Sequence, residues 1–485
     1  MTSFRAGLLA SLPGAVLGLI LLLILLPTEP ASGVTFSESP WTDEAWTVLG
    51  ARNMALLGTW APDDLQAYLL QLPFHAVQLV AFELLGVGII QARSVSVVLT
   101  IATVVLTAML VARHFGRTAG AISGLGLASS ALALYYGRLA YLEPMVAFWL
   151  TAGTALLVFA PGRRVVMTGV LAGGLLALAI GTKPSSVAAV AGTLIGAGIA
   201  SRIGRQAVPT AMLVAGATVL GAGIGWAVLI GLANREAIEL VLRWWPEQPV
   251  PPTLLDWIIR VGRYVRASDG ANLLALPLYA AAAAAVGVVM AWTRRHQLEP
   301  GQRMLIAAAI GWLVFGMLFL VLTAYRPNRY VVPLLPAAAM LGGIGLAGLL
   351  DRAPSGARRL ATMTAVTALV APGVVLWGGW VATASSRLPA IQAEVLEIVD
   401  DGAAVEGGVG SAFAMRVPVP TLLTRPEIGM NGGDLYASHR VRWLVADETY
   451  VPAWADDHPD AWAARETVRC WPWGDDGSEC LIRVP

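Results

Sequence analysis

Two adjacent carboxylates, Asp43 and Glu44, lie between tryptophans in the segment WTDEAW at residues 41–46. They follow the first long apolar run of a chain in which only 13% of the residues are charged, against about 25% in soluble domains. A carboxylate at such a position deprotonates an incoming hydroxyl, or holds a metal ion that does so. On these residues alone, an ordinary pair of loop acids is an equally good interpretation.

Further ionisable groups lie at the ends of apolar runs that are far apart in the sequence. Arg138 and Glu143 flank the segment RLAYLEP, and Lys183, the only lysine, lies in GTKPSS. The others are His75 in QLPFH, Arg243 and Trp244 in RWWPEQ, and Arg326, Arg329 and Tyr330 in YRPNRY. Ionisable groups near membrane depth are costly and suggest function. Acids and several cations on one surface suit a lipid-linked phosphosugar, because cations stabilise a phosphate that departs as a leaving group.

Each of these groups also has a purely structural interpretation. Glu143 precedes Pro144 and can cap the helix that follows, and Lys183 can extend its ammonium to the interface. The others are commonly interfacial anchors or belong to an aromatic belt: Arg326, Arg329, Trp244 and His75. Their joint placement on one face of the membrane favours a site over these separate explanations.

The composition indicates a polytopic membrane protein. The 485 residues are 57% hydrophobic, and apolar runs of about 20 residues, the length that spans hydrocarbon, recur along the chain. The net charge of +1 gives no electrostatic reason to expect a nucleic-acid partner. We predict about eleven spanning helices, over residues 8–27, 91–112, 118–137, 144–160, 165–181, 184–200, 207–231, 273–292, 304–324, 330–350 and 360–381.

Loop charges predict which end of each helix faces outward. With a cytoplasmic N-terminus, every inner loop is short and contains arginine, as the positive-inside rule requires. The groups named above then lie on the extracytoplasmic face, and residues 28–90 form the first outer loop. The apolar run 71–90 would invert all later loops if it spanned, so we interpret it as an amphipathic surface helix. The first run is interpreted as an uncleaved anchor, although it also resembles a signal peptide.

The composition changes after residue 381. We predict a transmembrane domain over 1–381 and a small extracytoplasmic α/β domain over 382–485, with a helix at RLPAIQAEVLEIV and strands at VRWLVAD and CLIRVP. Cys470 and Cys480 form a disulfide in that compartment or remain two free thiols.

Four segments together resemble family 39 glycosyltransferases, the dolichyl-phosphate-mannose protein mannosyltransferases and their bacterial relatives. TDEAWTVLGARNMALLGTW is similar to the family's D-E-x-x-x-x-x-x-A-R-x-M-x-x-x-G-x-W signature, and RLAYLEPMVAFWLTAG to its second acidic segment. GTKPSS is similar to its T-K-x motif and RPNRYVVPLLPAAAML to its R-Y-x-x-x-x-x-P segment. The resemblance implies a mainly α GT-C fold with juxtamembrane helices in the first outer loop. It also implies inverting transfer of a sugar from a polyprenyl monophosphate to a glycan, lipid or protein acceptor.

The resemblance also implies roles for individual residues. Asp43 becomes the catalytic base or acceptor ligand, Glu44 its partner, and Glu143 replaces the family's usual aspartate. The donor phosphate is expected to contact Lys183, Arg329 and Tyr330. Where the family often has a lysine or His-Pro-Pro, this chain has QLPFH, so phosphate binding is expected to extend to Arg326 and Arg138. The residues assigned to the substrate loop are His75, Arg243 and Trp244.

Several alternatives stay open on the sequence. A divalent cation, Mg²⁺ or Mn²⁺, serves some GT-C enzymes and not others. The arginine-rich, lysine-poor composition suggests an actinobacterial-type host and a donor of mannose or arabinose type, and the expected location is the bacterial cell envelope. A transporter or flippase for a lipid-linked saccharide, or a non-enzymatic scaffold, is the competing class. The predicted spans are almost purely Ala, Leu, Val and Gly, with polar groups at one end, which favours surface chemistry over passage.

Overall fold

The computed structural model describes residues 2–29, 43–61, 66–159, 164–203, 210–243, 287–289, 297–322, 328–399, 404–407, 409–422, 441–446, 451–452, 455–473 and 477–485. These residues are mainly helical, with one five-stranded sheet near the C-terminus. Two architectural parts, a helical bundle and a small α/β domain, were expected, and both are present.

The helices are numbered here in chain order. The first half contains α1 Thr2–Leu25, α2 Asp43–Thr47, α3 Leu49–Leu57, α4 Leu72–Leu85, α5 Ile89–Phe115, α6 Arg117–Ala128, α7 Ala131–Tyr136, α8 Leu142–Phe159, α9 Val165–Thr182, α10 Val187–Ile203, α11 Thr210–Trp226 and α12 Arg235–Arg243. The second half contains α13 Pro300–Leu322, α14 Leu335–Leu350, α15 Ser355–Thr383, α16 Leu388–Ile398, α17 Gly410–Phe413 and α18 Pro459–Ala463. Short 3-10 helices cover Ala67–Leu70, Pro184–Ser186 and Asn328–Leu334, and a π-helical turn covers Ala227–Gly231.

Nine helices in the described part are long and apolar enough to span a membrane. Leucine, isoleucine and valine side chains are exposed along α1, α9 and α11, as expected of helices that face lipid. The predicted span 273–292 lies largely outside the described residues. The first outer loop contributes α4, whose 14 residues extend about 21 Å, short of the roughly 30 Å hydrocarbon core. This length is compatible with the predicted surface position.

The predicted single helix over 118–137 is broken into α6 and α7. Ser129 ends α6, and its hydroxyl donates to the carbonyl of Leu125 at 2.8 Å, a back-bond that competes with continued helix. Helix α15 packs closely here, because a Cβ on Gly373 would lie 1.6 Å from the Ser129 carbonyl oxygen. The prediction of one continuous helix was therefore wrong at the Ser129–Ser130 pair. The break turns the chain toward residues 138–143.

The C-terminal domain is built on a mixed sheet of order β2-β1-β3-β5-β4. Its strands are β1 Ala404–Glu406, β2 Thr421–Leu422, β3 Val441–Ala446, β4 Glu466–Trp473 and β5 Gly477–Arg483. Strand β1 is parallel to β2 and β3, whereas β5 is antiparallel to β3 and β4. Cys470 and Cys480 are paired across β4 and β5 in a disulfide. The predicted helix α16 and strands β3 and β5 are confirmed.

The C-terminal domain and the first-loop helices share one hydrophobic core. Val48 and Phe74 belong to the same buried cluster as Leu388, Phe413 and Trp443. Arg52 on α3 is fully buried and donates to four carbonyls of the C-terminal domain, those of Ala414, Met415, Val417 and Val419, at 2.5–3.1 Å. The first outer loop is thereby fixed against the C-terminal domain.

Candidate active site

One six-residue segment, residues 138–143, follows α7 and ends in the first turn of α8, and it connects two groups of charged side chains. The first group surrounds Glu44, and the second surrounds Glu143. Ala140 contacts the first group and Glu143 belongs to the second, so about 11 Å at most separates their Cα atoms. The two groups are therefore joined through one short segment.

Glu44 is completely buried and bound through both carboxylate oxygens. Arg93 donates from Nε to Oε1 at 2.9 Å and from Nη2 to Oε2 at 2.7 Å. The backbone N–H of Ala140 donates to Oε1 at 2.8 Å. This bidentate, charge-assisted geometry is strong and directional. Glu44 thus ties α2, of which Asp43 is the first residue, to α5 and to the 138–143 segment. For Asp43 the structure describes the backbone only.

Two arginines hold the chain where α1 ends. Arg93 donates from Nη1 to the carbonyls of Leu26 and Thr28 at 2.9 and 2.8 Å. Arg138 donates from Nη1 to the carbonyls of Leu25 and Thr28 at 3.0 and 2.7 Å. These bonds satisfy carbonyls that a helix end leaves without intrahelical donors. Arg138, expected near the donor phosphate, therefore lies with the Glu44 group and binds backbone oxygens.

The second group brings together residues from three distant segments. Glu143 lies in the first turn of α8 and is buried. Lys183 Nζ lies 2.5 Å from Glu143 Oε1, and Arg329 Nε lies 3.5 Å from the same oxygen. The Lys183 ammonium also lies 3.3 Å from the ring centroid of Tyr330, a cation–π contact. The sequence segments RLAYLEP, GTKPSS and YRPNRY thus converge as predicted.

The second group has an open side. Within the described residues, two cations face the Glu143 carboxylate. A cleft beside it is lined by Lys183, Tyr330, Val146, Ser185 and Phe319, among others. Burial lowers the pKa of Lys183 to about 8, although Glu143 opposes this shift. An anion that enters the cleft would contact the Lys183 ammonium, because Lys183 lines the cleft.

Two residues that carry this geometry were not singled out from the sequence. The Arg329 guanidinium lies 4.8 Å from the ring centroid of Tyr141, so Tyr141 supports Arg329 from the 138–143 segment. Arg93 is the partner of Glu44. Its signal was present, since Arg93 is a lone arginine inside the predicted span 91–112 and is 1% exposed. Tyr141 offered no comparable signal, because tyrosine near a membrane interface is common.

The remaining predicted residues lie apart from the second group or outside the described part. His75 on α4 is buried, and its Nδ1 accepts the backbone N–H of Ala51 at 3.3 Å. Burial lowers the pKa of His75 to about 3, so the imidazole is neutral. Arg326 and Trp244 lie outside the described residues, as does the side chain of Arg243. Within the described ranges, no group of three or more His, Cys, Asp or Glu side chains is arranged to hold a metal ion.

The fold is that of GT-C glycosyltransferases. The chain is similar to ArnT from Cupriavidus metallidurans bound to undecaprenyl phosphate, at 13% identity and a TM-score of 0.60 over 97% of both chains. It is also similar to the oligosaccharyltransferase AglB from Archaeoglobus fulgidus in complex with an inhibitory peptide and a dolichol-phosphate. There the identity is 11% and the TM-score 0.53, over 90% of this chain and 69% of that one. The arabinofuranosyltransferase AftD from Mycobacteria gives 14% identity and a TM-score of 0.54, over 98% of this chain and 40% of that one.

No family model and no curated protein sequence matches the chain. The structural similarity therefore shows the GT-C fold, which these solved membrane glycosyltransferases share. The GT-C fold expected from the four sequence segments is confirmed, and assignment to family 39 stays a prediction.

Proposed function

We propose that this protein is a membrane glycosyltransferase that moves a sugar from a polyprenyl-phosphate donor to an acceptor hydroxyl, with inversion, at the extracytoplasmic face. The observation that supports this most is the convergence of Lys183, Arg329 and Tyr330 around Glu143, beside a cleft that Lys183 and Tyr330 line. A polyprenyl-phosphate sugar is an anionic phosphodiester whose lipid lies in hydrocarbon and whose phosphate needs a polar site. Two structurally similar proteins were solved with such phosphates, undecaprenyl phosphate and dolichol-phosphate.

In the proposed reaction, Lys183 and Arg329 bind the donor phosphate. As the bond from the anomeric carbon to the phosphate oxygen breaks, the electron pair stays on that oxygen and negative charge accumulates there. Cations fixed next to that oxygen stabilise the transition state more than the ground state. Asp43 accepts the proton of the acceptor hydroxyl, whose oxygen forms the new bond on the opposite face of the sugar. The products are the inverted glycoside and the lipid phosphate.

Glu143 and Glu44, expected as catalytic acids, are proposed here as positioning residues. Glu143 holds Lys183 at 2.5 Å and Arg329 at 3.5 Å, which places both cations around one carboxylate, and Lys183 also lines the cleft. Glu44 is enclosed by Arg93 and the Ala140 N–H, which leaves it unsuited to ligate a Mg²⁺ or Mn²⁺ ion. The proposed steps therefore use the cations of the chain itself.

The extracytoplasmic placement of the site is part of the same proposal. The Cys470–Cys480 disulfide supports it, because disulfides persist in oxidising compartments. The first outer loop is fixed to the domain that contains this disulfide through Arg52. A cysteine-accessibility assay on intact cells or spheroplasts, with a cysteine introduced at exposed Thr59, would test this placement.

Donor affinity tests the assignment of the phosphate site. We expect Arg329→Ala to raise the KM for a polyprenyl-phosphate sugar by about tenfold or more, because charge-assisted hydrogen bonds contribute roughly 1.5–3 kcal/mol. The matched control is Arg235→Ala, which removes an arginine 77% exposed on α12 and should leave KM unchanged. An unaltered donor KM in Arg329→Ala would refute the phosphate role.

A further inference from the structure

A second cavity lies between the first-loop helices and the C-terminal domain. Its volume is about 490 Å³, within the range typical of small-molecule sites. Its walls come from the end of α3 at Leu56, from residues 85–91 that connect α4 to α5, and from Pro389, Gln392, Leu396 and Arg416 of the C-terminal domain. None of these residues belongs to the Glu44 or Glu143 group, so the cavity is separate from the candidate active site.

The lining is chemically suited to hydrocarbon. Most lining side chains are aliphatic, including Leu56, Val87 and Ile90. The cavity continues onto an exposed apolar face of α4, where Val80, Leu84 and Leu85 are 58%, 77% and 58% exposed. Val80 and Leu84 are one helical turn apart and share that face. Exposed apolar patches of this kind mark contact with lipid or a partner. Because Leu85 both belongs to this face and lines the cavity, the entrance opens beside the apolar face.

The cavity also has a positively charged side chain. Among the described residues that line it, Arg416 is the only charged one, and its side chain is exposed. The first turn of α5, Ile89–Gln91, lines the same cavity. This 27-residue helix has no acidic residue in its first turn and no side-chain cap at Gly88. The N–H groups of a first helical turn have no intrahelical acceptors and add partial positive charge. The cavity thus combines an apolar wall with a site for an anion.

We propose that this cavity binds an anionic membrane lipid. Its acyl chain lies along Leu56, Leu85 and Ile90, and its phosphate lies against Arg416. A free sugar or peptide fits poorly, because these walls offer few hydrogen-bonding side chains. The lipid would contact the first outer loop and the C-terminal domain together, and would supplement the attachment made by Arg52. The inference does not depend on glycosyl transfer.

Photo-crosslinking of lipid in nanodiscs tests the proposal. The purified full-length chain is reconstituted with phosphatidylglycerol or phosphatidylcholine that carries a diazirine in one acyl chain, and labelled peptides are mapped by mass spectrometry. We expect phosphatidylglycerol to label residues 85–91 and 389–396, with unlabelled phosphatidylglycerol competing. Arg416→Gln should reduce this labelling by about tenfold, since one charge-assisted contact is lost. Arg469→Gln, at an exposed arginine of the same domain, should leave it unchanged.

Two further variants distinguish a bound lipid from general bilayer contact. Leu56→Trp and Leu396→Trp fill the cavity from opposite walls, and each should abolish labelling there. Asp43→Asn, which we expect to be inactive, should label like the wild type, so failure of this proposal and of the proposed enzyme activity can be told apart. Equal labelling by the two lipids, or labelling that survives Arg416→Gln and both tryptophan variants, would overturn the proposal.

Discussion

Asp43 and Glu44 are adjacent in sequence, but we assign them different roles. Both oxygens of Glu44 are engaged by Arg93 and the Ala140 N–H in a fully buried environment. A carboxylate in this situation stabilises structure and is poorly placed to exchange a proton. The chemistry proposed for the acid pair therefore falls on Asp43, and Glu44 is assigned to holding α2.

Removing the charge of Glu44 should reduce stability. Glu44→Gln leaves the buried Arg93 guanidinium without its counter-charge, which costs about 3–5 kcal/mol in such sites. We expect a lower midpoint in thermal unfolding of the detergent-solubilised protein. Glu239→Gln, which breaks the solvent-exposed pair with Arg235, is the control. A Glu44→Gln protein as stable as the control, yet inactive, would instead indicate a direct catalytic role.

Tyr141 is predicted to act through its ring. The Tyr141 ring centroid lies 4.8 Å from the Arg329 guanidinium. Tyr141→Phe keeps this aromatic ring, whereas Tyr141→Leu removes it. Cation–π contacts contribute about 0.5–2 kcal/mol, so Tyr141→Leu should raise the donor KM several-fold with a smaller change in kcat. Steady-state kinetics of both variants measure this. Equal donor KM values for Phe and Leu would show that the ring does not position Arg329.

Donor binding should depend on the charge of Lys183. Burial lowers the pKa of Lys183 to about 8 against the opposing Glu143, and Arg329 adds to the lowering. The ammonium is present below that pKa and is lost above it, so the donor KM should rise between pH 7 and 9. Lys183→Arg, always protonated, should flatten this rise. A wild-type KM that is constant from pH 7 to 9 would argue against an ammonium–phosphate contact.

At the level of elements, the sequence predicted which segments meet but not how they pair. Apolar runs and loop charges place RLAYLEP, GTKPSS and YRPNRY at the same end of the bundle. Whether Lys183 contacts Glu143 or solvent depends on helix packing, which no periodicity encodes. The break at Ser129–Ser130 was missed for a similar reason, because it depends on the close approach of α15 at Gly373. The C-terminal helix and two strands were predictable because their apolar patterns are local.

The attachment of α3 to the C-terminal domain should depend on one side chain. Arg52 donates to the carbonyls of Ala414, Met415, Val417 and Val419. Arg52→Met leaves these buried acceptors without a donor, at about 1–3 kcal/mol for each unsatisfied group. We expect faster proteolysis of the C-terminal domain and a lower unfolding midpoint. Arg387→Met, which removes an exposed arginine bound to the Pro472 carbonyl, should change neither measurement.

At the level of the whole molecule, the basic residues that bind backbone carbonyls differ from those that we propose bind the donor phosphate. Arg93, Arg138 and Arg52 are fully buried and bind carbonyls, with Arg93 also bound to a carboxylate. Lys183 instead lines the cleft and Arg329 contacts Glu143, with side chains 11% and 19% exposed. The sequence alone could not make this distinction, since all five are basic residues in an apolar chain. The fold makes it, because among the described residues the second group combines a carboxylate, an aromatic face and a cleft.

The most direct test of the account is single-turnover sugar transfer by Asp43→Asn, measured alongside donor binding. The assay contains a polyprenyl-phosphate sugar as donor and a substrate that provides the acceptor hydroxyl. We predict that the variant binds the donor as the wild type does. Transfer should fall by 10²-fold or more, since a general base typically contributes about 10²–10⁴-fold. Product from the wild type should have the inverted anomeric configuration. Wild-type transfer rates in Asp43→Asn would contradict the central claim that this carboxylate activates the acceptor.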